Sequence, residues 1–94
     1  MYYNMDLGFD WDDANTEHVA QHQVRPEEAE QAIDDPLSVA AYELELEARF
    51  GVLGATVEGR VLVEIYTWRG PRRRVVTAFP ATARQQCQYT ERKL

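Results

Sequence analysis

The stretch from Gly59 to Pro80, GRVLVEIYTWRGPRRRVVTAFP, predicts two β-strands joined by a tight turn. Aliphatic residues recur at every second position of its first half, at Val61, Val63 and Ile65. This period of two is typical of a half-buried strand. The Gly70-Pro71 pair marks the turn, because both residues favour the backbone angles that turns require. Three consecutive arginines, Arg72 to Arg74, lead into the second strand, so the hairpin is both the expected core of the fold and a concentrated patch of positive charge.

The size and composition of the chain favour a single domain over residues 1–94. With 94 residues, of which 45% are hydrophobic and 11% aromatic, the chain can build one core. Cys87 is the single cysteine, which excludes an internal disulfide. No apolar run approaches the roughly 20 residues of a membrane span, and the N-terminus lacks the basic and apolar segments of a secretory signal. We therefore expect a cytoplasmic protein with no membrane partner.

The net charge of −6 hides an uneven distribution of charge along the chain. Residues 1–48 hold 13 acidic side chains and one basic side chain, Arg25, whereas residues 49–94 hold nine basic and three acidic ones. The overall acidity argues against unspecific binding of nucleic acid, but a local cluster of arginines can still bind phosphate. The alternative is that the acidic half and the arginine cluster pair with each other across the fold.

Two helices are predicted in the N-terminal half, after a short strand at Leu7–Trp11. Asp12 suits the N-cap of the first helix, which would run from about Asp13 to Gln21 or His22. The second helix begins at Pro26, since proline fits the first helical position. It ends at Asp34-Asp35-Pro36, because the residue before a proline is disfavoured in a helix.

The C-terminal half is predicted to supply most of the sheet. Apolar and acidic residues alternate from Tyr42 to Glu47, which favours a strand or loop, although a helix over 40–48 is the alternative. Arg49–Thr56 predicts a further strand, and Thr82 suits the N-cap of a final helix that reaches Lys93. We therefore predict an α+β domain of order β-α-α-β-β-β-α, with two N-terminal helices and a C-terminal helix around an antiparallel sheet.

Short motifs distributed over nearly the whole chain carry a resemblance to a known family. In the N-terminal half they are Phe9-Asp10-Trp11-Asp12, Asn15, His18, His22, Val24-x-Pro26-Glu27-Glu28-Ala29 and Asp34-Asp35-Pro36. In the C-terminal half they are Glu47-x-Arg49-Phe50, Gly59–Val63, Tyr66-Thr67 and Arg74–Ala78. In this order they resemble the BrnT family of bacterial type II toxins. The resemblance implies a RelE-like fold, a ribonuclease that blocks translation, and a ribbon-helix-helix antitoxin that neutralises the toxin and binds DNA for the pair.

The resemblance also implies which residues carry the chemistry. A ribonuclease of this kind uses no metal or cofactor, and needs a proton acceptor for the attacking 2′-hydroxyl and cations near the developing phosphate charge. His22 is the candidate for proton transfer, because imidazole titrates near neutral pH. Arg49 and Arg74 are candidates for holding the phosphate, because guanidinium groups bind it in a bidentate manner. Candidates for RNA binding are Arg72, Arg73, Tyr66, Tyr89 and Arg84.

Each of these residues also has a structural interpretation. His22 can interact with the C-terminal end of its own helix. With His18 it also has the i,i+4 spacing of a zinc-binding pair, but the sequence places no third ligand. Of the three consecutive arginines, Arg73 is expected to point away from its neighbours. Tyr66 and Tyr89 can serve as core aromatics.

Three positions depart from the family pattern: Asn15 stands where many relatives carry lysine, Gln23 where they carry glycine, and Phe79 where they carry arginine. The C-terminal helix also has few basic residues. These departures leave three hypotheses open. The chain is an active endoribonuclease, or a toxin-fold protein that binds an antitoxin without cutting RNA, or a structural regulator in which the arginine hairpin pairs with the acidic half.

Overall fold

The computed structural model describes residues 8–44 and 48–93, which form three helices and one antiparallel sheet. The elements in chain order are α1 (Asp13–Ala20), α2 (Pro26–Asp34), β1 (Val39–Leu44), β2 (Arg49–Ala55), β3 (Val61–Arg69), β4 (Arg72–Pro80) and α3 (Ala83–Lys93). Each strand pairs with the next along the chain, so the spatial order is β1-β2-β3-β4. The predicted α+β fold is confirmed.

The predicted hairpin is formed by β3 and β4. Its turn is the two-residue Gly70-Pro71, and Gly70 has a φ of 60°, which glycine adopts without steric cost. The pairing shifts between Ile65, opposite Thr77, and Tyr66, opposite Val75. Val76 is therefore an extra residue in β4, a β-bulge that changes which side of the sheet the following side chains occupy.

All three helices begin as the sequence predicts. The Asp12 carboxylate accepts a hydrogen bond from the backbone N–H of Asn15, and the Asn15 side chain accepts one from the N–H of Asp12. Pro26 occupies the first position of α2. At α3 the Thr82 hydroxyl accepts from the N–H of Gln85, whose side chain accepts from the N–H of Thr82. These reciprocal bonds satisfy amides that have no partner inside the helix.

The helices pack on opposite faces of the sheet. The first face carries α1 and α2 over a core that includes Val19, Val24, Ala29, Ala32, Ile33, Leu62, Val75 and Ala78. The second face carries α3 over Leu53, Val63, Ala81 and Tyr89. Gly54 permits the close approach of α2, since a Cβ atom there would lie 1.9 Å from the carbonyl oxygen of Ala32.

Two sequence predictions need correction at their boundaries. The short strand predicted at Leu7–Trp11 is reduced to one parallel bridge between Phe9 and Arg73, and Leu7 lies outside the described residues. The segment predicted at Tyr42–Glu47 as a strand or loop belongs to a strand as far as Leu44, so the helical alternative is wrong there, while residues 45–47 lie outside the described part. None of the described helices is long and apolar enough to cross a membrane.

Candidate functional site

A groove of about 400 Å³ lies between α1 and the sheet, next to the hairpin turn. Its polar lining consists of Asn15, His18, Arg49, Thr67, Arg69 and Arg74. The α1 helix forms one wall because it runs beside β4, the edge strand. The side-chain amide of Asn15 fixes this position by donating hydrogen bonds to the carbonyl oxygens of Asp10, at 3.0 Å, and Val75, at 3.1 Å.

The sheet brings the two arginines predicted to hold phosphate into the same groove. Arg74 lies directly opposite Thr67 in the β3–β4 register. Phe50 lies opposite Tyr66, so the preceding residue of β2, Arg49, falls beside Thr67. Alternating residues of a strand point to opposite faces, and Arg49, Thr67 and Arg74 therefore share the second face of the sheet.

The structure places His18, rather than His22, in the groove lining. The His18 Nε2 atom lies 3.0 Å from the hydroxyl oxygen of Thr77. The ring of His22 lies 5.5 Å from that of His18 and 5.9 Å from that of Phe79, further along the same side of α1. The i,i+4 spacing does place both imidazoles on one stripe, as the sequence predicts, but sequence reasoning chose the member of the pair that lies outside the groove.

Two carboxylates compete for the guanidinium of Arg74, whose side chain is 14% exposed. Its Nη2 atom donates to Asp12 at 3.1 Å, and its Nη1 atom lies 3.6 Å from Asp10. Asp10 also lies 3.9 Å from Arg69. The hydrogen bond from Arg74 holds the pKa of Asp12 below its ordinary value, and the same contact raises the pKa of Arg74.

This arrangement both fixes Arg74 and reduces its free positive charge. Nη1 is buried and has no hydrogen-bond partner within the described residues, although Asp10 faces it as an ion pair. A phosphate oxygen that binds this guanidinium has to reach its exposed part, because Nη1 itself is buried. The phosphate would then meet repulsion from Asp10 and Asp12.

The comparison with protein families identifies the chain. A family model described as "Ribonuclease toxin, BrnT, of type II toxin-antitoxin system" matches residues 11–85. The chain belongs to the BrnT family. Membership implies a ribonuclease toxin of a type II toxin–antitoxin system, with an antitoxin as its partner. No significant match was found among curated proteins. The matched range contains α1, α2, all four strands described above and the groove residues.

The remaining residues predicted to bind RNA lie outside the groove lining. Arg73 donates to Asp34 at 2.8 Å and lies over the Phe9 ring, on the first face of the sheet. Arg72 is exposed beside the turn and forms no ion pair among the described residues. Arg84 is exposed on the first turn of α3 and does not line the groove. For Arg72 and Arg84, RNA binding stays a prediction.

The two tyrosines lie in packed surroundings. Tyr66 is half-buried against the core of the first face, with its ring 5.6 Å from that of Phe50. Tyr89 is 5% exposed, and its hydroxyl donates to Asp35 beneath α3. Burial and this carboxylate raise the pKa of Tyr89 to about 12. The structure therefore gives Tyr89 the role of a core aromatic and does not bring it into the groove.

The described residues contain no group of three or more histidine, cysteine, aspartate or glutamate side chains that could hold a metal ion. His18 and His22 contact each other edge to face. The groove thus offers imidazole and guanidinium groups, which can move protons and stabilise phosphate charge.

Proposed function

We propose that this BrnT-family chain is an endoribonuclease that cuts RNA without a metal ion and thereby blocks translation, with its scissile phosphate bound in the groove. The proposal rests on one observation: Arg49 of β2, Arg74 of β4 and His18 of α1 converge in the lining of the groove. Such a set matches the needs of 2′-hydroxyl attack on phosphorus, which are a proton acceptor and fixed cations.

Three groove residues have distinct roles in this mechanism. Arg49 and Arg74 hold the non-bridging oxygens and stabilise the charge that grows on them in the transition state. His18 takes the proton of the 2′-hydroxyl, because it lines the groove and is held by Thr77. His22 does not line the groove, but its ring lies 5.5 Å from that of His18, and it is the other imidazole of the chain that can supply a proton to the leaving oxygen.

The partner follows from the family and from the sequence resemblance. Membership implies an antitoxin, and we propose that it is a ribbon-helix-helix protein that neutralises the toxin and represses the shared operon. DNA binding in the pair then belongs to the antitoxin. Co-expression with the neighbouring reading frame should yield a stable complex, and purification of the chain alone from such cells would contradict this part of the proposal.

The ribonuclease proposal is tested with purified protein and single-stranded RNA in the presence of EDTA. The wild type should cleave the RNA, and Arg49→Gln should lower the rate by about 10²–10³-fold, the usual cost of losing one group that stabilises an oxyanion. His18→Ala should lower the rate more than His22→Ala. Thr16→Ala on the same helix is the control. Activity that disappears with EDTA, or a larger effect of His22→Ala than of His18→Ala, would contradict the assignment.

The competition for Arg74 favours a second candidate, a toxin-fold protein that binds its antitoxin but cuts RNA slowly or not at all. Asp10 and Asp12 neutralise the guanidinium on which the chemistry depends. If this candidate is correct, the double variant Asp10→Asn and Asp12→Asn should gain cleavage, because asparagine keeps the helix cap and removes the charge. Phe79→Arg should gain cleavage as well, since it adds a cation beside His22. Fast cleavage by the wild type would exclude the second candidate.

A further inference from the structure

Two arginines face each other across the turn of the β3–β4 hairpin. Arg69, the last residue of β3, pairs directly with Arg72, the first residue of β4. Residues opposite each other in an antiparallel pair have Cβ atoms only about 5 Å apart, and like charges in such a pair repel. The side chain of Arg69 is 61% exposed, and Arg72 is exposed as well. An anion bound between them would replace this repulsion by two attractive contacts.

The arginine pair lies on the same face of the sheet as the groove. Because side chains of a strand alternate between the two faces, Arg69 points to the same side as Thr67. For the same reason Arg72 points to the same side as Arg74, which is paired with Thr67. Arg69 itself lines the groove, and Arg72 stands opposite it at the end of the hairpin. The basic lining of the groove therefore continues to the turn.

Nearby carboxylates leave net positive charge at this end of the hairpin. Asp10 lies 3.9 Å from Arg69 and 3.6 Å from Arg74, so two guanidinium groups share one carboxylate. Asp12 contacts Arg74 at 3.1 Å. Arg72 forms no ion pair within the described residues. Arg72 thus supplies the net charge of the pair, and Arg69 adds further N–H donors.

We propose that Arg69 and Arg72 form a second phosphate site, which binds the RNA phosphate next to the scissile one. The pair lies two residues along the hairpin from Arg74 and Thr67, a distance of about 7 Å. This is close to the separation of neighbouring phosphates along an RNA strand. The inference rests on the proposed function in that RNA is the ligand and its scissile phosphate lies in the groove.

RNA suits this site because the site extends a surface that already binds phosphate in the proposed function. A positively charged groove that follows the backbone is the usual way in which proteins bind single-stranded nucleic acid. Two guanidinium groups on opposite strands can also donate to one phosphate from two sides. An acidic segment of a protein partner is the other possible occupant, and the test separates the two.

The test uses a trinucleotide of RNA with 2′-O-methyl groups throughout, which removes the nucleophile and separates binding from cleavage. It carries two phosphates, and in two further probes a neutral methylphosphonate replaces one or the other. The wild type should bind the doubly charged probe about 3- to 10-fold more tightly than either singly charged one, the effect of two exposed charge contacts. This ratio compares two affinities of one protein, so it is insensitive to small changes elsewhere in the groove.

Arg69→Gln and Arg72→Gln should each reduce this preference for the second phosphate, and the double variant should abolish it. Arg25→Gln is the matched control, because it removes the same charge at the start of α2, outside the groove lining. It should keep the preference of the wild type. Thermal melting checks that each variant folds.

An equal preference in the wild type and the folded double variant, or no binding of the trinucleotide to the wild type, would overturn the second phosphate site. Loss of antitoxin binding in the double variant with an unchanged phosphate preference would assign the pair to the protein partner and overturn the site as well. Loss of the preference in the double variant of a wild type that does not cleave unmodified RNA would instead refute the ribonuclease proposal and leave the second phosphate site in place.

Discussion

Glu64 is the most unusual side chain in the core. It is fully buried on the first face of the sheet, between Val52 and Ala78 of the neighbouring strands. Neither carboxylate oxygen has a hydrogen-bond partner among the described residues. Burial raises the pKa of Glu64 to about 9. The residue is therefore protonated at neutral pH, since an unpaired charge in this core would be far more costly than a neutral carboxyl group.

The raised pKa makes the stability of the protein depend on pH. The folded state holds the Glu64 proton to about pH 9, whereas the unfolded chain loses it near the ordinary pKa of 4.5. Stability is therefore fully present below that value and falls as pH rises through the folded pKa. The other shifted groups act outside this window, because the pKa values of Asp12 and Glu28 are lowered and that of Tyr89 lies at about 12.

We predict that Glu64→Gln removes this pH dependence. Urea unfolding of the wild type between about pH 5 and pH 9 should show a loss of a few kcal/mol, and the variant, which cannot ionise, should stay nearly constant over the same range. Glu58→Gln, in the exposed turn between β2 and β3, is the control and should keep the slope of the wild type. Parallel slopes for the wild type and Glu64→Gln would show that Glu64 is not the source.

At the scale of elements, the position of α1 on the edge of β4 decides what the groove contains. Asn15 is 4% exposed and makes this contact with its side-chain amide. Asn15 stands where the family resemblance suggests lysine. In this chain its side chain fixes α1 against the sheet by these hydrogen bonds. The His18 ring then reaches Thr77 from the same helix. Loss of the Asn15 hydrogen bonds should therefore lower the stability of the protein and also displace His18 from its contact with Thr77.

We predict that Asn15→Ala lowers the free energy of unfolding by about 1–3 kcal/mol, because the buried carbonyl group of Val75 and the partly buried one of Asp10 lose this donor. Asn15→Asp should be at least as costly, since a carboxylate cannot donate to them. Glu17→Ala, on the exposed side of α1, should stay within about 0.5 kcal/mol of the wild type. Chemical denaturation measures all three, and a neutral Asn15→Ala would show that other contacts hold α1 on the sheet.

Features that depend on local sequence could be predicted, whereas those that depend on pairing between distant segments could not. The hairpin, Asp12, Pro26 and Thr82 follow local rules of period, cap and turn, and the structure has them where those rules place them. The bulge at Val76 has no such local signature. Without it, the side chain of Arg74 would point to the first face, because one residue of shift reverses every side chain that follows. The facing of Arg74 into the groove thus depends on long-range pairing.

The same limit applies to the two histidines. Their spacing predicts a shared stripe on α1 but not how far along β4 the helix sits. That distance is set by the bond from Asn15 to Val75 and by the bridge between Phe9 and Arg73, both of which join distant parts of the chain. The residue types of the groove could therefore be predicted from the sequence, while the position of His18 in its lining depends on the tertiary structure.

At the scale of the whole molecule, the acidic and basic halves meet through specific ion pairs. Arg60 contacts Glu28 at 3.0 Å, Arg73 contacts Asp34 at 2.8 Å and Arg74 contacts Asp12 at 3.1 Å. The pairing that the charge distribution suggested is thus present. Most of these pairs reach the surface, where a single pair contributes little to stability. Their main effect is to hold the arginines in place and to leave Arg72 as an unpaired cation of the hairpin among the described residues.

The net charge of −6 gives a further test of RNA binding, because the molecule as a whole repels a polyanion. Binding then depends on a few local phosphate contacts, and we expect up to three, at Arg49, Arg72 and Arg74. For single-stranded nucleic acid the logarithm of affinity falls with the logarithm of salt concentration by about 0.7 per contact, which gives a slope of about −2. General repulsion without local contacts would give a flat or rising line, since added salt would only screen it.

We predict that Arg49→Gln and Arg72→Gln each reduce the magnitude of this slope by about 0.7 between about 50 and 200 mM salt. Binding is measured with a single-stranded RNA that carries 2′-O-methyl groups throughout and therefore cannot be cleaved by 2′-hydroxyl attack. Arg25→Gln changes the net charge equally but lies at the start of α2, outside the groove lining, so it should leave the slope unchanged. An equal change in all three variants would mean that RNA senses only the overall charge. Weaker binding of Arg49→Gln at constant slope would mean that Arg49 shapes the groove without contacting phosphate.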